Sequence, residues 1–292
     1  MELGLIWIVA QREMREALRN RWLWFYALAF AGLALALSQA GLASAGYAGL
    51  GGFGRTSASL VNALLLFVPL MGLSVGAGAV AGDRERGTLL YLLAQPVSRG
   101  EVFWGKAIGA AMALVAALGL GFGLAGLGLA TGGDGNAIAY LKLAGYTLML
   151  ALATLGLGFI VSSLTRKAST AAGAALVLWL GLVFFGDLGL VGATLAWRPT
   201  PDVLFMMLVT NPLQVFKLAS IYSLRATLDT LGAVGQFAYF QFGSWLPAVL
   251  FSLLSGWIIT TFGAAFILFS RDRDPATPWP HARDRADRDR RH

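Results

Sequence analysis

Long uncharged apolar runs alternate along this chain with short polar stretches, a rhythm that predicts membrane-spanning helices. Six segments, roughly 22–42, 59–81, 107–130, 143–164, 171–195 and 245–269, are long enough to cross about 30 Å of hydrocarbon at about 20 residues each. The most structured polar stretch lies between the second and third of them. There Asp83, Arg84, Glu85 and Arg86 take the chain out of the hydrocarbon, because unpaired charge in lipid costs several kcal/mol. Gly87 and Thr88 then open a short amphipathic helix with apolar Leu89, Leu90, Leu92 and Leu93, and Pro96 stops it because proline cannot continue the hydrogen-bond ladder. The pattern predicts a rigid knob over about 83–95, suited to contact with a soluble partner.

Other stretches follow the same logic. Residues 1–20 predict an amphipathic helix lying on the membrane surface: Leu3, Ile6, Trp7, Ala10, Met14 and Leu18 share one stripe, and Arg12, Glu13, Arg15, Glu16 and Arg19 gather elsewhere. A basic residue and an aromatic belt, Arg21 to Tyr26, mark an interface crossing. The first apolar run is short and followed by charges, so no cleavable signal peptide is expected. Residues 198–243 are too apolar for a solvated loop and contain Asn211-Pro212, a helix-start signal, followed by Phe216 and Lys217. They predict one or two helices against the outer leaflet or the bundle. A seventh span over 203–222 is rejected because it would place the arginine-rich tail outside. Residues 271–292 alternate Arg and Asp with three prolines and predict a disordered tail. The domain plan is therefore an interface helix over 1–20, a six-span domain over 21–270 and the tail.

Composition narrows the chemistry. Of 292 residues, 57% are hydrophobic and 13% charged, and the mean hydropathy is +0.69, which marks an integral membrane protein. There is no cysteine, which removes disulfides and thiol catalysis, and both histidines, His281 and His292, lie in the tail. The six runs contain no ionisable residue except Asp187, although ion-coupled carriers and intramembrane enzymes need such groups. The sequence thus predicts no catalytic, cofactor-binding or metal-binding residue and an energy source outside the chain. Gly100 to Ala107 nearly spells a phosphate-binding loop, but Ala107 replaces the hydroxyl residue and no strand precedes it, so the expectation is a helix start with Lys106 at the headgroups. Gly121-Phe122-Gly123-Leu124-Ala125-Gly126 lies inside an uncharged run, and it predicts helix packing, as do Gly72/Gly76, Gly78/Gly82, Gly105/Gly109 and Gly119/Gly123. The scattered methionines are expected as core filler, not copper ligands.

Orientation follows from the basic residues: 17 Lys and Arg fall on the side holding both termini and the knob, against 5 on the other. The positive-inside rule places the former side in the cytoplasm. The +7 net charge is explained by orientation and does not call for nucleic acid.

The block from Gly82 to Leu93, with Pro96, Arg99, Gly100 and Lys106, resembles the pattern that follows the second span in ABC-2 type permeases. Asp83 stands where glutamate is commoner in that family, and Leu90 where glutamate often occurs. Leu18 to Trp22 and Arg55 to Leu60 are further similar to the permeases of nitrous oxide reductase maturation systems. The resemblance implies an all-α fold, a type V exporter-like arrangement of six spans with an interface helix and a coupling helix. It implies a homodimer in the bacterial inner membrane, bound to two cytoplasmic ABC ATPase subunits that carry ATP and magnesium. It further implies a periplasmic β-helical partner and, indirectly, a copper chaperone. On that basis Asp83, Arg84, Glu85, Arg86, Gly87, Thr88, Leu89, Leu92, Leu93 and Pro96 would contact the ATPase. Arg12, Arg15, Glu16 and Arg19 would flank it, and Asn211, Pro212, Phe216 and Lys217 would form an outer gate or partner platform. Alternatives are a generic exporter of lipid or drug and a non-transporting scaffold for a periplasmic protein.

Overall fold

The computed structural model describes residues 3–32 apart from 22, 26 and 30, residues 51–130 apart from 96, residues 137–223 apart from 198, and residues 232–271. Among these the chain is helical and contains no strand. In order come α1 (Leu3–Leu18), α2 (Gly51–Glu85), α3 (Thr88–Leu93), α4 (Arg99–Ala130), α5 (Ala137–Leu164), α6 (Ala168–Ala196), α7 (Pro201–Val209), α8 (Pro212–Ser223), α9 (Gly232–Phe242) and α10 (Leu246–Arg271). A single 3-10 turn, Gly243–Trp245, joins the last two.

Five of these helical stretches are long and apolar enough to cross a membrane, or six if α7 and α8 count as one broken span. They match five predicted spans and extend the second and third toward the knob. Described residues between 21 and 32 are helical too, and the rest of the predicted first span lies outside the described residues, as do Pro96 and the tail beyond 271.

The tightest helix pairs are α2 with α5 and α1 with α4. Lipid tails are as apolar as leucine, so such pairs depend on close van der Waals fit. A Cβ at Gly76 would collide with the Leu155 carbonyl, and one at Gly158 with the backbone of α2. Ser162 reinforces the seam: its Oγ accepts from Val80 N (2.9 Å) and Ala81 N (2.8 Å) and donates to the Ala77 carbonyl (2.7 Å). In the second pair, Cβ atoms at Gly105 and Gly109 would strike Val9 and the Ala10 carbonyl of α1. Two of the four predicted glycine pairs therefore pack helices. Gly78, Gly119 and Gly123 face open space, and Gly82 has only the tip of Arg86 nearby.

The core between the pairs is aromatic near the charged end. Phe103 of α4 lies 5.6 Å from Phe159, 5.4 Å from Phe266 and 5.6 Å from Phe269, ring centre to ring centre. A second cluster joins α7, α8 and α10 through Phe205, Leu208, Val215, Leu218, Leu246, Leu250 and Leu254.

Where one or two helices are expected over 198–243, the described residues hold three, α7, α8 and α9. Helix α7 meets α8 at 112°. The bend sits at mid-depth, since Asn211 Nδ2 donates to the Leu182 carbonyl halfway along α6 (2.7 Å) and Trp257 Nε1 of α10 to the Val209 carbonyl (3.0 Å). The pair is a bent hairpin packed against α6 and α10. Asn211 Oδ1 caps α8 by accepting from Leu213 N (3.0 Å), which satisfies a helix-end donor.

Candidate functional site: an ion cluster beneath the charged turn

The charged turn between α2 and α4 stands on a buried ion cluster. Lys106, 1% exposed, leaves α4 one turn beyond the capping residues and reaches Glu13 Oε2 of α1 (2.6 Å) and Asp83 Oδ2 of α2 (2.5 Å). It also donates to the Ala79 carbonyl (2.9 Å). The expectation of a headgroup lysine is therefore corrected: close approach of α1 at Gly105 and Gly109 covers the ammonium with protein. A buried ammonium needs such partners, because desolvation otherwise drives off its charge. Asp83 spends its other oxygen on Arg86 Nη2 (2.8 Å) and Thr88 Oγ1 (2.9 Å). Burial pushes the Glu13 carboxyl above its ordinary range against the pull of Lys106, and the hydrogen bond to Asp83 holds the Arg86 guanidinium more firmly protonated.

Arg84 and Glu85 turn toward the α5–α6 junction. Arg84 Nη1 donates to the carbonyls of Ser163 and Thr165, both at 3.0 Å, satisfying the open C-terminal end of α5. Glu85 Oε2 accepts from Ala168 N (2.9 Å) at the start of α6, where a carboxylate also suits the helix dipole. The basic 165–167 turn is thus tied to the end of α2.

Gly87 has φ 73°, in the left-handed region that favours glycine, and this reverses the chain between α2 and α3. The reversal sets the exposure of the knob. Leu89 is buried in the core beneath it, and Leu93 packs against that core. Leu92 is half-buried, whereas Leu90 and Tyr91 project outward, 58% and 72% exposed. At the start of α4 a capping box forms: Ser98 Oγ accepts from Glu101 N (3.2 Å) and Glu101 Oε2 from Ser98 N (2.8 Å). Ser98→Ala is expected to lower stability by about 1 kcal/mol, the usual worth of an N-cap, read as a lower unfolding midpoint in detergent. Residues 100–107, the near-match to a phosphate loop, are helical throughout.

Of the interface-helix residues, Arg12, Arg15, Glu16 and Arg19 are exposed. Arg12 pairs with Glu16 (3.4 Å), and Glu16 approaches Arg86 (3.9 Å), which brings α1 beside the knob. Leu3, Trp7 and Ile8 are exposed apolar residues on the same helix, as a membrane-surface helix requires.

Asn211, Pro212 and Phe216 are buried in the hairpin, while Lys217 is partly exposed and pairs with Asp187 of α6 (2.8 Å). Gln214 Nε2 donates to the same carboxylate (2.9 Å). Asp187, the one ionisable residue inside a predicted span, is thus spent on tying the hairpin to α6. A groove of about 410 Å³ opens between α6 and the hairpin, lined by Leu178, Leu182, Phe185, Met207, Asn211 and Gln214 among others. Among the described residues no cluster of acidic or histidine side chains could hold a metal ion.

Sequence reasoning missed Glu13, Lys106, Leu90 and Tyr91. Glu13, which the stripe leaves out, nonetheless follows its Ala10 by three positions, and Lys106 sits between Gly105 and Gly109. Both placements signal a charge at a helix–helix contact.

The profile of the ABC-2 family transporter proteins matches residues 7–273. The chain is 30% identical over 279 residues to the "Probable ABC transporter permease protein NosY" of Stutzerimonas stutzeri, covering 92% of this chain and 99% of that protein. It is 34% identical over 226 residues to the protein of the same name from Pseudomonas aeruginosa, covering 75% and 82%. The helical plan and a match running nearly end to end agree: this chain is a multi-pass membrane protein of the ABC-2 transporter permease family.

Proposed function

We propose that the chain is the membrane subunit that receives motion from a separate ABC ATPase through the α3 knob. The observation that carries this reading is the construction of the knob: a short helix with Leu90 and Tyr91 outward, anchored from below by Leu89 and Asp83. Exposed Arg86, Arg12 and Arg15 nearby suit a partner cleft with an apolar floor and an acidic rim. ATP and magnesium would be held by the partner, and this chain would hydrolyse nothing itself. The basic side, with both termini and the knob, would face the cytoplasm of a bacterial inner membrane.

Helix α6 turns Val177, Phe184, Phe185, Leu188 and Leu195 outward, an apolar face for lipid or for the second copy of a homodimer. By likeness to the NosY permeases, the system would serve copper-site maturation of nitrous oxide reductase, with a periplasmic β-helical protein docked on the face opposite the knob and a copper chaperone acting further out. A second reading, export of a lipid or drug, draws on the apolar groove beside α6.

The test pairs the chain with an ABC ATPase subunit from the same host. Leu90→Asp with Tyr91→Asp is expected to cut affinity for the ATPase about tenfold or more, as for a central interface anchor, with insertion and folding intact. Unchanged binding and hydrolysis would refute the knob as the docking element.

A further inference from the structure

The cytoplasmic-end helices fall into two closely fitted groups. In one, α1 lies on α4 with its backbone against Gly105 and Gly109. In the other, α2 lies on α5 through Gly72, Gly76 and Gly158, and on α6 through Ala77, Ala81, Ala171 and Ala175. Arg84 and Glu85 fasten that second group at its end by holding the α5–α6 turn. The α3 knob is the loop that joins the groups, leaving α2 and entering α4.

Lys106 bridges them. Its backbone and its Glu13 partner belong to the first group, and Asp83 and the Ala79 carbonyl to the second. Asp83 is in turn gripped by Arg86 and Thr88, the residues that start the knob. A push on α3 therefore reaches Asp83 first and Lys106 next. A lysine stem with four rotatable carbons can keep both carboxylates while the helices around it turn, which interlocked apolar side chains cannot do.

We propose that Lys106 is a positioning residue, the pin about which the α1–α4 group turns against the α2–α5–α6 group when the partner displaces α3. The inference rests on the coupling reading above. It makes the buried charges a device for transmission, not for stability, in keeping with the small net worth of buried ion pairs against apolar replacements of the same shape.

The experiment uses the full chain in complex with its ABC ATPase subunit in nanodiscs. The triple variant Glu13→Gln, Asp83→Asn, Lys106→Met removes the charges and keeps the shapes, and Lys106→Arg keeps the charge. With hydrolysis counted per bound ATPase, so that any loosening of the knob by Asp83→Asn is divided out, the triple variant is expected to lose about tenfold of the chain-dependent rate, a typical coupling between sites. Lys106→Arg should keep most of it. Parent-level hydrolysis in the triple variant would overturn the pin alone. A parent chain that neither binds nor stimulates the ATPase would overturn the coupling reading and the pin with it.

A second arm does not depend on the triple variant folding. The chain has no cysteine, so Glu16→Cys with Arg86→Cys provides a unique pair across the two groups; because Arg86 also belongs to the docking surface, the unbridged pair variant is the reference and bound ATPase is measured beside hydrolysis. Bridging it with a reducible bis-thiosulfonate in the assembled complex should block stimulation, and reductant should restore it. A bridged complex that is stimulated like the unbridged one would overturn the pin.

Discussion

Replacing Lys106 alone with methionine is expected to destabilise the folded chain by about 3–5 kcal/mol, the cost of stripping one partner from a buried ion pair. The volume barely changes, so the loss is electrostatic. Glu13 and Asp83 would remain in the space that Lys106 now shares with them, and Glu13 has no other cation within ion-pair distance among the described residues. Burial already raises the Glu13 carboxyl, so it would escape by taking up a proton, whereas Asp83 keeps Arg86. Adding Glu13→Gln to the methionine variant should therefore recover a substantial part of the loss. Unfolding midpoints in one detergent read both effects. An unshifted midpoint for Lys106→Met would mean that water reaches the cluster.

The second large effect is steric. Gly76→Leu is expected to cost about 3 kcal/mol, the upper end for overpacked interiors, because its side chain would meet the backbone of α5 at Leu155 and Gly158. Backbone cannot rotate out of the way as a side chain can. Gly78→Leu, two positions along the same helix, is the control: nothing lies within 4 Å of its Cβ position, and near-parent stability is expected. Circular dichroism melts of the two variants in the same lipid should differ clearly. Equal melts would contradict the close contact of α2 with α5.

The contrast between those two glycines also marks how far the sequence could be read. Apolar runs and charge breaks placed five of the spans, apart from the charged-end extensions of α2 and α4 and the earlier starts of α2 at Gly51 and α5 at Ala137, because hydrocarbon thickness and the cost of exposed charge act on each helix separately. Spacing alone could not say which side of α2 meets a neighbour, so Gly72/Gly76 and Gly78/Gly82 looked alike. Asn211-Pro212 announced a helix start, yet the 112° bend and its position at mid-depth depend on Leu182 and Trp257, far away in the chain. Lys106 looked like a headgroup lysine because its two carboxylates come from α1 and α2. The knob was visible as a knob, but which leucines face outward depended on the left-handed turn at Gly87. That turn buries Leu89 and exposes Leu90 and Tyr91.

Arg84 and Glu85 show a related limit. A run of alternating charges on a membrane face suits an external partner, and here those two side chains hold the α5–α6 turn of their own chain. Arg86 and the leucine–tyrosine tip remain for a visitor. If α3 is the input, the output passes along α2 into α5 and α6, toward the hairpin that Asp187, Gln214 and Lys217 fasten to α6 just past its midpoint.

The most direct measurement is site-specific photocrosslinking from position 91, with benzoylphenylalanine in place of Tyr91, in cells that carry the complete system. The account predicts a nucleotide-sensitive crosslink between this chain and an ABC ATPase subunit. Crosslinks from position 91 to periplasmic proteins, or to no protein while the ATPase remains bound, would contradict it.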